Sequence, residues 1–317
     1  QYNLGLRAQL LWEPSDDLAI TLAGDYSQQD PECCGTVFVR TGQTQRALDR
    51  QYDALAAAQD YAAPSGDAFD RVTDLDASLN AGNKVGGASL RAVWETGIGT
   101  VTSITAWRFW DWKPENDRDF TGLPITTLSQ NPSQQDQFTQ ELRLSGGGDT
   151  LDYTLGAFYF DQSVDTQGTQ RQGPAASAWL INPSNPLSAD PTVLDGLTAD
   201  NSIALDNTSA AIYGQVNWRL LPGLTLRPGV RVNYDSKDGF YDSVVTNGDG
   251  QPVTFASTDP RIVAQRAVLA PQRFGVDYSD WNFSYDLTAS YELSDEILAY
   301  ATYAKSFKSG GVNLNGV

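Results

Sequence analysis

The chain has 317 residues, of which 39 are acidic and 21 basic, so its net charge is −18. Such a charge disfavours nucleic acids and other anionic surfaces as partners. The sequence contains no histidine, which excludes imidazole bases, imidazole metal ligands and a Ser-His-Asp triad from this stretch. No segment approaches the roughly 18 consecutive apolar residues of a membrane helix. The composition suits an all-β protein, and it also suits strands that cross a bilayer.

Alternation of apolar and polar residues is the strongest pattern and predicts strands with two different faces. In residues 281–293 every second residue is apolar or aromatic and every residue between them is polar, and 224–235 closely repeats this pattern. The last run, residues 297–308, mixes apolar and polar residues on both faces, so neither face is assigned to lipid or lumen. In chain order, the ten predicted strands cover residues 4–12, 18–26, 88–95, 101–109, 138–144, 151–159, 212–220, 224–235, 281–293 and 297–308.

The connections between these strands alternate between short and long. The short ones are rich in Gly, Pro, Asp and Ser, as tight hairpin turns require. This arrangement predicts an up-and-down meander with every long loop at one end, which is typical of outer-membrane barrels. The short connections occupy 13–17, 96–99, 145–149, 221–223 and 294–296, and the long ones roughly 28–84, 112–134, 162–207 and 237–279.

The strand length also fits a membrane barrel. About 11 residues rise roughly 36 Å, and a tilt near 40° projects this to about 27 Å, close to an apolar band about 25 Å tall. A secreted β-sandwich or propeller is the alternative, but sandwiches lack this one-ended loop asymmetry. We therefore predict a transmembrane antiparallel up-and-down β-barrel.

We expect the sequence to be a piece of a longer precursor. It has no methionine, and Gln1 lies inside an alternating run with no signal peptide ahead of it. Asn315-Gly316-Val317 follow the last run without a closing aromatic strand. An open ten-stranded sheet would expose two unpaired edges to lipid, so further strands are expected in the parent chain.

Several segments resemble the barrel of TonB-dependent outer-membrane receptors of the iron-siderophore type. The resemblance implies a 22-stranded barrel in the bacterial outer membrane, with about ten strands present in residues 1–317. It also implies an N-terminal plug domain that binds TonB; the plug and the closing strands are absent from this sequence. The segments are FTQELRL (138–144), LGAFY (155–159), AIYGQV (211–216), LRPGVRVNY (226–234) and YATYAKSFKSGG (300–311).

Arginines on the polar strand faces are the first candidate site. Placing one on the lipid face would cost roughly 2–4 kcal/mol at the midplane, so we predict that they face the lumen. There they would bind an anionic ligand or acidic plug groups. The favoured alternative is pairing within the barrel wall, with Glu141, Asp235 and Asp286. The arginines are Arg7, Arg91, Arg108, Arg143, Arg219, Arg227 and Arg231.

Aromatic residues assigned to loops are the second candidate. They are expected either to line a ligand vestibule or to pack within the loops. The set comprises Trp110, Trp112, Trp179, Phe240 and Tyr241, of which Trp110, Trp112 and Tyr241 join Arg91, Arg108, Arg143, Arg227 and Arg231 as predicted ligand-binding residues.

Three loop features complete the candidates. Cys33 and Cys34 are predicted to form a disulfide and a rigid turn, in preference to a soft-metal site. Residues 47–63 are Ala-rich and predict a short helix packed within its loop. Two acidic clusters are interpreted as solvated loop charge, in preference to Ca²⁺ sites, because neither has the spacing of a calcium loop. They are Asp67, Asp70, Asp74 and Asp76, and Glu115, Asp117 and Asp119.

The leading functional hypothesis is active uptake of a scarce ligand, most simply a ferric siderophore, by a plugged barrel with TonB and outer-membrane lipid as partners. No catalytic residues, metal ligands or cofactor are expected, since no nucleophile–base pair or phosphate loop is present. Vitamin B12, saccharide and other metal complexes stay open as ligands, with haem less attractive. A passive porin, a surface-exposed structural or adhesive barrel and an outer-membrane enzyme are the competing hypotheses.

Overall fold

The computed structural model describes residues 2–314, so Gln1 and the predicted run-off at Asn315-Gly316-Val317 lie outside the described residues. Antiparallel strands form a single sheet, and strands adjacent in sequence pair with each other along it. The strands are β1 (Tyr2–Ser15), β2 (Leu18–Asp30), β3 (Asn80–Thr96), β4 (Gly99–Glu115), β5 (Thr126–Gln130), β6 (Ser133–Gly147), β7 (Leu151–Gln172), β8 (Thr198–Leu221), β9 (Leu224–Thr246), β10 (Gln272–Ser294) and β11 (Ile297–Lys305).

The short strand β5 is a continuation of β6. Gln130 lies opposite Thr169 and Ser133 lies opposite Thr166, so both strands keep one register against β7. Pro132 separates them, and proline cannot donate a backbone hydrogen bond to a ladder. β5 and β6 therefore count as one interrupted strand, and the sheet has ten strand positions. This confirms the predicted ten-stranded meander and adds one interruption.

The strands extend farther toward the long loops than predicted. The loop predicted at 162–207 spans only 173–197, and the one predicted at 237–279 spans only 247–271. In these extensions polar residues occupy both faces, so the two-residue alternation is lost while the ladder pairing continues. Alternation marks only the part of a strand whose two faces meet different solvents.

The last predicted strand is too long. β11 ends at Lys305, whereas the alternation was extended to residue 308. Beyond it the chain lies against β9 and β10, where Lys237 Nζ donates to Ser309 Oγ over 2.9 Å. The Gly310 N–H donates to the Tyr278 hydroxyl over 3.3 Å.

The apolar faces of the strands do not pack into a core. Val230, Phe283 and Leu287 expose 51%, 52% and 46% of their surface, and Leu226 is half-buried. These residues would be buried in a water-soluble sandwich, so the sandwich alternative is wrong. The few polar side chains on the apolar faces of the strands form hydrogen bonds with each other. The Gln140 amide NH₂ donates to Ser103 Oγ over 3.0 Å, and its oxygen accepts from the Thr105 hydroxyl.

The hydrophobic core lies instead in the loops, which we call the loop cap and define as residues 31–79, 116–132, 173–197 and 247–271. Its most completely buried members, Ala176, Leu194 and Leu197, expose none of their surface. The core joins three of the loops to the ends of β8 and β9. Its buried members are Ile125, Ala175, Ala176, Ile181, Val193, Leu194, Leu197, Ala199, Val245 and Val253.

Three short helices belong to the loop cap: α1 (Tyr52–Ala57), α2 (Ala176–Leu180) and α3 (Pro260–Val268). Helix α1 confirms the helix predicted within 47–63. It packs beyond its own loop, because Tyr52 meets Trp179 of α2 edge to face with ring centroids 5.6 Å apart. Within residues 2–314, none of the helices has the length and apolar character needed to span a membrane.

Candidate ligand-binding site

The seven candidate arginines lie on one face of the sheet, which we call the polar face. The register shows this directly: Arg7, Asp25, Gly87 and Arg108 stand opposite one another on successive strands. In a second row Arg143 is followed across the sheet by Gly156, Tyr213 and Arg231. Because directly opposed residues share a face, the strand pairing places the predicted arginine set together.

Two of these arginines form ion pairs within the sheet. Arg108 contacts both carboxylate oxygens of Asp25, at 2.9 and 2.8 Å. Arg219 pairs with Asp152 at 2.5 Å and also donates to the Gly148 carbonyl of the neighbouring turn. Both guanidinium groups have partners in the wall, as the alternative interpretation predicted, although the partners differ from those expected.

Arg231 is surrounded by aromatic rings. Its Nε donates to Asn233 Oδ1 over 2.6 Å, and its guanidinium lies 5.4 Å from the Tyr213 ring centre and 5.9 Å from that of Phe158. The Tyr213 hydroxyl donates to Glu141, which joins this cluster to the next strand. Within residues 2–314, Arg231 makes no ion pair. Cation–π contacts with Tyr213 and Phe158 and the hydrogen bond to the Asn233 amide oxygen are therefore what stabilise its charge.

Gly156 provides the space for this arrangement. A Cβ at position 156 would overlap the Tyr213 ring, so only glycine lets the ring lie against the sheet. Aromatic cover of a strand glycine also helps to fix the register. Arg231 lines a cavity of about 340 Å³ whose wall also includes Tyr213, Ser284 and Asp286.

The remaining candidate arginines, Arg7, Arg91, Arg143 and Arg227, form no ion pair in the described part of the chain. The expected wall partners Glu141, Asp235 and Asp286 likewise pair with no arginine there. Asp235 is buried with Oδ2 lacking a hydrogen-bond partner within residues 2–314. Wall pairing thus accounts for Arg108 and Arg219 and leaves arginines and carboxylates without ion-pair partners along the polar face within residues 2–314.

The predicted loop aromatics Trp110, Trp112, Phe240 and Tyr241 are strand residues, which corrects their assignment to loops. Trp110 and Trp112 point to the polar face of β4 and stack with ring centres 5.4 Å apart and planes 14° apart. The Trp110 indole N–H donates to Asn83 Oδ1 over 2.6 Å. They were misplaced because the strands continue past the alternating segment.

Tyr241 is separated from the two tryptophans by several strands. It is buried on β9 and stacks on Phe274 of β10 with ring centres 5.3 Å apart. It lines a cavity of about 390 Å³ that also contacts Arg118 and Leu314. Trp179 is the one aromatic of the set that lies in a loop, and it packs against the loop-cap core. The structure therefore divides the predicted residues among several surfaces.

Cys33 and Cys34 form a disulfide in the first long loop. It borders a cavity of about 510 Å³ together with Trp112 of β4. The sequence alone did not connect the cysteines with Trp112, because the rest of the first long loop and most of the β3–β4 hairpin lie between them.

The two predicted acidic clusters meet in the loop cap. Asp117 is buried, which corrects its assignment to solvated charge, and it accepts the backbone N–H groups of Asp76, Asp119 and Phe120. Asp119 in turn accepts the N–H groups of Thr121 and Thr126. These carboxylates organise the loop backbone, and in residues 2–314 no group of three or more acids is arranged to hold a metal ion.

The close carboxylates perturb each other's protonation. Loss of hydration, reinforced by the charges of Asp119 and Asp117, raises the pKa of Asp76 to about 6. Burial also raises the pKa of Asp119 despite the hydrogen bonds from Thr121 and Thr126.

Sequence reasoning missed Tyr213, Phe158 and Asn83. A signal was present for the first two, because an aromatic residue occupies the polar side of each strand's alternation. Asn83 carries no such signal, since only strand pairing brings it next to Trp110.

Known receptors share this fold. The ferric yersiniabactin uptake receptor FyuA from Yersinia pestis is 13% identical, with a TM-score of 0.57 over 95% of this chain and 37% of that one. The siderophore receptor PiuA from Acinetobacter baumannii is 14% identical, with a TM-score of 0.58 over 95% of this chain and 41% of that one. The ferric citrate transporter FecA is 11% identical, with a TM-score of 0.51 over 94% of this chain and 35% of that one.

The chain therefore spans about two-fifths of the length of the first two receptors. No curated protein matches the sequence significantly. At these identities the solved structures show the fold alone. A sequence model described as TonB dependent receptor-like, beta-barrel matches residues 35–316. The polar face is accordingly the lumen side and the exposed apolar face the lipid side of a barrel fragment, and the chain belongs to the TonB-dependent receptor β-barrel family.

Proposed function

We propose that the protein is an outer-membrane receptor that takes up a ferric siderophore with energy supplied through TonB. A plug domain and the closing strands, outside this sequence, would complete a 22-stranded barrel. Family membership across residues 35–316 is the observation that carries the proposal. The similar solved structures include a ferric yersiniabactin uptake receptor and a siderophore receptor, which supports a ferric complex as the ligand.

The charge on the polar face adds chemical support. Complexes of Fe³⁺ with hydroxycarboxylates or catecholates are anionic, and arginine recognises such oxygen-rich anions through its planar fork of donors. Arg231 is the strongest contact candidate on the wall, because it lines a cavity and makes no ion pair with a carboxylate within residues 2–314. Arg91, Arg143 and Arg227, which also make no ion pair within residues 2–314, would extend the path.

Uptake of radioactive iron tests the function. A strain lacking the full-length gene is complemented with it, and accumulation of ⁵⁵Fe supplied with a panel of siderophores is measured with and without TonB. We expect accumulation of at least one complex that disappears without TonB. Diffusion of unrelated small solutes that is independent of TonB would identify a porin instead, and growth and uptake unchanged by gene deletion would reject transport.

The lumen site has its own test in the same cells. Arg231→Gln removes the charge beside the cavity, and we expect the apparent affinity for the ferric complex to fall about tenfold or more. Arg219→Gln is the matched control, because its guanidinium already binds Asp152 and the adjacent turn. Equal loss in both variants would show that Arg231 supports only the wall.

A further inference from the structure

We propose a second binding site, for a neutral and largely flat aromatic molecule, in the cavity between the Cys33–Cys34 disulfide and Trp112. We call it the disulfide pocket; its wall includes Cys33, Cys34, Leu75, Leu79, Trp112 and Phe120. This goes beyond the proposed iron uptake, because binding here does not depend on whether the barrel transports the molecule.

The size and lining of the disulfide pocket suit a small organic molecule. Its volume of about 510 Å³ lies within the roughly 300–1,000 Å³ of small-molecule sites, which are mostly apolar with a few polar groups. The apolar side chains come from the first long loop and from the 116–132 segment. Trp112 contributes from the rigid sheet between them, so the pocket has one fixed wall.

Trp112 makes that fixed wall flat. Its ring stacks on Trp110, whose indole N–H is held by Asn83, so the exposed side of Trp112 is presented in one orientation. Aromatic rings stack on such a surface with more energy than their buried area alone provides. The polarisable sulfur atoms of the disulfide add favourable contacts with an aromatic edge.

The polar groups of the pocket select against an anion. Glu115 and Asp117 belong to the lining, which contains no lysine or arginine. Asp117 accepts three backbone N–H groups and is thereby occupied. An anionic molecule would meet like charge without a cationic partner, so a neutral one is favoured.

Asn80 and Asn116 are two of the polar side chains that line the disulfide pocket. The Asn80 side-chain oxygen accepts the Gly82 N–H over 2.8 Å, and the Asn116 oxygen accepts the Ser129 hydroxyl over 3.1 Å. With both oxygens engaged, the amide NH₂ groups are what these residues offer to the pocket. A hydroxyl or carbonyl oxygen on the aromatic ring would accept from them.

The test uses the full-length receptor in lipid nanodiscs and two probes of matched size: a monofluorinated 2-naphthol, which is neutral, and the corresponding fluorinated 2-naphthoate, which is anionic. Fluorine NMR line broadening gives each dissociation constant after subtraction of protein-free nanodiscs. We expect the naphthol to bind at least about tenfold more tightly. Equal affinities, or tighter binding of the naphthoate, would overturn the proposal.

Two variants locate the binding. Trp112→Leu should weaken naphthol binding about tenfold, and Ala81→Phe should abolish it by filling the pocket. Trp94→Leu, which removes an indole from the lipid side, should leave binding unchanged. Unchanged binding in either pocket variant, with the barrel still folded by circular dichroism, would place the probe elsewhere and reject the site.

Discussion

The membrane-spanning part of the strands and the loop cap bury their apolar side chains in opposite ways. Along the strands, Val230 and Phe283 stay about half exposed, and hydrocarbon is the medium that covers them. In the loop cap, Leu194 and Leu197 are completely enclosed by protein. The comparison shows that one chain meets two solvents, and that only the part surrounded by water needs a core of its own.

The loop cap is also joined across loops by polar contacts. Arg261 of α3 pairs with Asp190 over 2.7 Å, and Gln265 donates to the Val193 carbonyl over 2.8 Å. Ser177 Oγ donates to the Pro191 carbonyl and accepts the Leu194 N–H. The Arg261 and Gln265 contacts tie the 247–271 loop to the 173–197 loop, and the Ser177 bonds hold the 173–197 loop together internally.

Leu194→Asp is expected to have the largest effect, because it places an unpaired charge in the loop-cap core at a cost of several kcal/mol. The loop cap should open while the strands stay folded. Limited proteolysis should show new cleavage in 173–197, with the heat-dependent shift in gel mobility retained. Leu48→Asp, at a position that is 82% exposed, is the control. Loss of the whole barrel would contradict independent behaviour of the two regions.

Leu142→Arg tests the other region, since it places a charge on the lipid side of β6 and should cost about 2–4 kcal/mol. The free energy of folding into lipid vesicles, measured by urea titration, reports this cost. Thr139→Arg, on the lumen side of the same strand, should change it little. Equal costs at the two positions would mean that the faces are assigned incorrectly.

The Arg108–Asp25 pair on the polar face should contribute much less. Both side chains are partly exposed, so a coupling of about 0.2–1 kcal/mol is expected despite the bidentate geometry. A double-mutant cycle with Arg108→Met and Asp25→Asn in the same urea titration measures it. A coupling several times larger would indicate that the lumen wall screens charges less than water does.

The smallest effect should be a pH dependence of the loop cap. The pKa of Asp76 is raised to about 6, so the folded cap binds this proton more tightly than the unfolded chain does. The resulting stabilisation is complete below the ordinary aspartate pKa of about 4 and is lost as pH rises through about 6.

Proteolysis of the 31–79 loop should therefore be slower at about pH 5 than at about pH 7. Asp76→Asn should flatten this difference, whereas Asp49→Asn, which removes an exposed carboxylate of the same loop, should preserve it. Faster proteolysis at about pH 5 than at about pH 7 would show that Asp76 is stabilised as a carboxylate in the folded cap.

The sequence predicted the number and order of the strands well, because lipid on one side and the lumen on the other impose a strict alternation on neighbouring residues. It predicted the strand ends poorly, and therefore placed Trp112 and Tyr241 in loops, because the strand extensions have water-facing polar residues on both sides. The same alternation placed the arginine set on one face, and the strand pairing also places these arginines on one face. The division of this set into wall-paired Arg108 and aromatic-held Arg231 depended on partners from other strands.

By itself, the sequence determined an antiparallel meander with one-sided loops and a lipid-facing set of apolar residues, because these properties repeat along neighbouring residues. Only the tertiary structure decided that Cys33, Cys34 and Trp112 line one cavity, that Asp117 is buried, and that distant loops share a core. Such contacts depend on strand register and loop packing between residues far apart in the chain, which no local pattern encodes.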